Sequence, residues 1–149
     1  MNALNPSSAT KTFSTASITA AAANALIAEA RVAAAGLGIQ VCIAVTDAAG
    51  HLTAFERGDG APFLSAEVAI DKAWTVSAFG LATHVWNDIL KDGKVAQLAH
   101  RPRMVAVGGG CPIVENGKVV GAIGISGGNA EQDRQAAEQA LRALGFEVA

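Results

Sequence analysis

Side chains able to do chemistry gather in three irregular parts of the sequence. These are the bend Arg57-Gly58-Asp59-Gly60, the helix-forming segments carrying Lys72 and His84, and the run from Ser126 to Asp133. Arg57 presents a forked guanidinium, which suits a carboxylate gripped by two parallel bonds; the alternative is an internal ion pair with Asp59 that fixes the bend. Lys72, read as opposite the small-residue face of its helix, is either a solvated lysine or an ammonium aimed into a pocket. In the pocket it acts as an anion clamp or as a proton donor of lowered pKa. Glu131 and Asp133 fall in the first turn of a helix, where the dipole favours negative charge, and either also suits a general base. Ser126, Gly127 and Gly128 lead into that helix and offer backbone amides to an anion.

The three histidines, His51, His84 and His100, show no His-x-x-x-His or Cys-x-x-Cys-His arrangement, so no metal centre is expected. His51, just after a turn, and His84, at a helix start, are the better placed to act as ligands. Cys111 stands between three glycines and Pro112, either as a reactive thiol or as a small core residue; Cys42 alternates within a strand and reads as core. Gly108-Gly109-Gly110 lacks the following Lys-Ser/Thr of a phosphate loop, and no dinucleotide fingerprint or nucleophile elbow is present.

The 149 residues suit one domain, read as 1–149 with a flexible lead-in over 1–14. Hydrophobic residues make up 51% and charged ones 16%, which excludes disorder and leaves apolar surface for a subunit interface. A net charge of −2 without Lys/Arg runs argues against nucleic acid. Asn24, Glu29 and Arg31 interrupt the apolar stretch from Ala20 to Ala35, so no membrane span is expected. With no secretory signal and two cysteines in no metal-type spacing, the chain reads as cytoplasmic.

The elements that must position these groups follow from periodicity. An Ala-rich helix is expected over 17–35, ended by Gly36 and Gly38. From Ile39 a period of two marks a strand, and His51 to Arg57 returns as a second after the turn Asp47–Gly50. Ser65 is the expected N-cap of the next helix, whose Ala66, Ala69, Ile70 and Ala73 form a small-residue face; Gly80 ends it. A short helix runs from Thr83 to about Lys91, and a strand is expected over 104–107. Asn116-Gly117 then joins two apolar runs as a type I′ hairpin. The last helix starts at Asn129 with Gln132 three residues on, a capping-box variant, and ends at Gly145. Five strands joined by short turns and flanked by helices make an α+β fold with an antiparallel sheet.

Several motifs, taken in order, resemble the GlcG/HbpS-like family, which is similar to the C-terminal domain of corrinoid adenosyltransferases. They are Asp47-x-x-Gly50-His51-Leu52, Arg57-x-Asp59-Gly60-Ala61, Lys72-Ala73-x-Thr75, Gly109-Gly110-x-Pro112, the block from Gly117 to Gly127, and Glu131-Gln132-Asp133. The resemblance covers roughly 17–147. It implies a profilin-like α/β/α sandwich with a five-stranded antiparallel sheet, homo-oligomers, and members that bind haem or stand beside catabolic enzymes. Gly58 replaces a frequent Met, and Trp74 a smaller residue; both changes reshape a pocket.

Three functions are therefore expected to compete. The first is an oligomer binding haem or another acidic or aromatic small molecule, with Arg57, Asp59 and the Ser126–Gly128 amides as binding groups and His51 or His84 reaching iron. The second is a cofactor-free catabolic isomerase, lyase or hydrolase for an acidic metabolite, using Lys72, Glu131 and Asp133. The third is an accessory subunit without pocket chemistry. The first two need Arg57, Asp59, Lys72 and Glu131 to share one hollow.

Overall fold

The computed structural model describes residues 10–149, so most of the expected lead-in lies outside it. Helix α1 (Ala20–Gly36) precedes strands β1 (Cys42–Asp47) and β2 (Leu52–Arg57). Helices α2 (Ser65–Phe79) and α3 (Thr83–Ile89) follow, then β3 (Gly110–Glu115), β4 (Lys118–Ser126) and α4 (Ala130–Ala143). The strands form one antiparallel sheet in the order β2-β1-β4-β3.

The two faces of the sheet are built differently. Ile43, Val45, Ile123 and Ile125 point to the side covered by α1 and α4, where Leu26, Ile27, Ala137 and Leu141 meet them. Each large aliphatic side chain buried there is worth about 1.5–3 kcal/mol. Cys42, Ala44 and Ala122 point the other way, against Ala69, Ala73 and Val76 of α2. That face has little side-chain bulk and gains contact by close backbone approach: a Cβ on Gly124 would overlap the carbonyl oxygen of Ala69. The hairpin between β3 and β4 turns at Asn116 and Gly117, with φ of 52° and 73°, the positive pair a type I′ turn needs.

Four expectations are corrected. The sheet has four strands: residues 104–107 form no strand, because this segment is held by side chains of the helices beneath it. Val105 donates its amide to Thr75 Oγ1 (3.0 Å), and Asn87 Nδ2 donates to the Ala106 carbonyl (2.9 Å). Helix α1 begins later than 17, capped by Thr19, whose hydroxyl accepts from the Ala22 amide at 3.1 Å. Ser65 lies inside α2; its hydroxyl donates backwards to the Pro62 carbonyl and leaves the helix start without a side-chain cap. Lys72 is not on the outer side of α2. It stands three residues after Ala69 and four before Val76, which places it on the buried face, 1% exposed.

Candidate functional site

The polar centre of the molecule is an internal clasp. Lys72 Nζ donates to the carbonyls of Gly108 and Ile125, each at 2.9 Å, and to Asp133 Oδ2 at 3.1 Å. Asp133 reaches inward from the first turn of α4, and its Oδ1 accepts from the Gly128 amide at 2.8 Å. Three ammonium hydrogens thus meet three acceptors, with both side chains almost wholly buried. Burial pushes the Lys72 pKa down, opposed by the charge of Asp133. The clasp binds α2, the segment entering β3, the end of β4 and the start of α4 to one another. It leaves Lys72 no donor for a substrate.

Beside it lies a solvent-reachable hollow of about 170 Å³, lined by His84, Asn87, Val107, Gly108, Ala130, Glu131 and Arg134. One wall is set by the clasp, since the Gly108 carbonyl is a Lys72 acceptor. The start of α4 is fixed by the capping box as read from the sequence: the Gln132 amide donates to Asn129 Oδ1, and the Asn129 amide to Gln132 Oε1. His84 brings its ring to the hollow from the first turn of α3. Its Nδ1 is buried with no hydrogen-bond partner among the described residues. Burial, and then the charge of Arg134, push the His84 pKa below 6.5, so the imidazole is neutral at pH 7. Arg134 donates Nε to Glu138 Oε1 at 2.9 Å; its terminal nitrogens make no hydrogen bond among the described residues.

The other expected site residues sit elsewhere. Arg57 and Asp59 line a second hollow of about 310 Å³ with Arg31, Gln40, Glu56 and Gly58. No ion pair joins them. Arg57 instead donates to the carbonyls of Ala61 (2.6 Å) and Pro62 (3.4 Å), stapling its own loop. Ser126 is buried at the end of β4, Gly127 packs on the Gln40 carbonyl, and the Gly128 amide is taken by Asp133. His51 is bonded through Nδ1 to Asp47 Oδ2 (3.1 Å) on an exposed turn. Cys111 is a core thiol, its pKa pushed up to about 12 mainly by burial, which removes the reactive-thiolate reading. The structure therefore pairs Lys72 with Asp133 and His84 with Glu131, and separates both pairs from Arg57 and Asp59.

Sequence reasoning missed Arg134 and Asn87. The legible signal was Arg134 four residues before Glu138 on one helix, a spacing that orients a guanidinium.

A four-stranded antiparallel sheet between helices, with an open hollow between helix ends, defines a small α+β domain. The chain belongs to the HbpS-like family: the model for haem degrading protein HbpS-like matches residues 18–142. It is 37% identical over 129 residues to a 15.0 kDa protein of Citrobacter freundii from the dhaT-dhaS intergenic region, covering 85% of this chain and 91% of that one. The crystal structure of Klebsiella pneumoniae protein ORFY superposes with a TM-score of 0.85 at 31% identity, over 93% of this chain and 99% of that one. That of a PduOC:heme complex gives 0.80 at 31%, over 89% and 98%.

Proposed function

We propose that the chain is a small-ligand-binding protein whose ligand enters the hollow between α3 and α4, with haem the first candidate. The observation that carries this reading is His84, an imidazole of lowered pKa lining the hollow beside an arginine whose terminal nitrogens make no hydrogen bond among the described residues. Neutral imidazole is the donor that iron requires, and a guanidinium fork suits a propionate, so the residues fit the group. The haem complex of a relative 31% identical supports the choice.

Bound haem would supply a redox-active iron. This chain's part is to present the imidazole, to hold it unprotonated, and to meet a carboxylate with Arg134. At about 170 Å³ the hollow is smaller than the roughly 300–1,000 Å³ of pockets that enclose drug-sized ligands. It therefore covers one side of such a ligand. A homo-oligomer in which another copy covers the rest belongs to the same reading, and the exposed Phe63 and Phe79 side chains support it.

Titration with haemin tests the proposal. A saturable Soret shift, lost in His84→Ala and kept in His51→Ala, is the expected result; an unshifted Soret band, or one indifferent to His84, would remove haem from the reading.

A further inference from the structure

We propose that Arg134 makes this hollow select flat ligands that carry a carboxylate over neutral ones of the same shape; the inference rests on the hollow being the binding site. Glu138 takes Nε of Arg134 at 2.9 Å, and Glu138 is itself approached by Arg142 at 3.8 Å. The guanidinium is thereby held from behind, with its two terminal nitrogens left as a parallel pair of donors. That is the edge which meets both oxygens of a carboxylate. The neighbouring groups narrow the class further. His84, being neutral, adds a hydrogen-bonding edge and no second positive charge. Glu131 stands on the rim as an exposed carboxylate, so an anionic end of the ligand is directed to Arg134 and away from that edge. Val107, 47% exposed, and Ala130 supply an apolar surface against which a ring can lie. A carboxylate at Arg134, a planar apolar body and one polar contact describe an aromatic or tetrapyrrole carboxylate.

Benzoate and its neutral isostere benzamide separate this inference from the haem reading. Their binding is followed on the His84 ring proton resonances by NMR. The expected result is a saturable His84 shift with benzoate, and affinity for benzamide about ten- to a hundredfold weaker, as loss of a charge-assisted pair implies. Arg134→Gln should abolish that preference, and Arg134→Lys should restore it only in part. Arg134 is partly exposed, so both variants are expected to fold. Equal affinity for the two probes, or a preference that survives Arg134→Gln, overturns the inference. Absence of any His84 shift overturns it together with the binding site. A carboxylate preference without a haemin Soret shift leaves it standing and removes only haem.

Discussion

Lys72 Nζ and Asp133 Oδ2, 61 positions apart in the chain, lie 3.1 Å from each other with both side chains inside the protein. The pair is the joint between α2 and α4, and the hollow beside it takes one wall from the same ammonium. Removing one member strands the other as a buried charge. Lys72→Met or Asp133→Leu alone should cost about 3–5 kcal/mol in urea unfolding, and the double variant should cost less than the two singles combined. A double variant as unstable as the singles combined would show that the two groups are not coupled.

Arg57 should matter for its loop and not for the ligand. Its bonds to Ala61 and Pro62 hold the turn into α2, so Arg57→Ala should speed amide exchange over residues 58–64 and cost about 1–3 kcal/mol. Affinity at the His84 hollow should stay within twofold of wild type. A large affinity loss would return the second hollow to consideration.

His84 gives the stability a direction with pH. Its folded pKa lies below 6.5, so as pH falls through 6.5 the unfolded chain binds a proton that the folded ring resists. Stability drops across the window between 6.5 and the depressed folded value, and levels off below it. Urea titrations at pH 7 and pH 5 should show wild type losing ground to His84→Gln on acidification. The opposite trend would mean that the ring is stabilised as a cation.

Both cysteines are buried, and Cys111 remains a protonated thiol far above neutral pH. Iodoacetamide at pH 8 should label neither in the native protein and both after unfolding, as read by intact mass. Native labelling at Cys111 would show an opening of β3 that the fold does not provide.

Much of the architecture was legible in the sequence because it is written locally. Asn116-Gly117 specifies its turn, Asn129 with Gln132 specifies a helix start, and the alternation in β1 specifies two unlike faces. Residues 104–107 misled because their apolar character answers to Thr75 and Asn87, partners distant in sequence that replace a strand neighbour. Lys72 differs for a simpler reason: it is expected opposite the small-residue face, but its spacing from Ala69 and Val76 sets it on the buried face. The candidate site was only half visible. His84 and Glu131 were named, but nothing local says that α3 and the start of α4 meet, and Arg134 gains its meaning from that meeting.

The central claim, that ligand enters between α3 and α4, is tested most directly by amide chemical-shift mapping with gallium protoporphyrin, a diamagnetic analogue of haemin. The account predicts perturbations clustered at Val107, Gly108, Ala130 and Glu131, with Gly58 and Asp59 unmoved. A cluster around Arg31, Gly58 and Asp59, or no perturbation near α4, would contradict it.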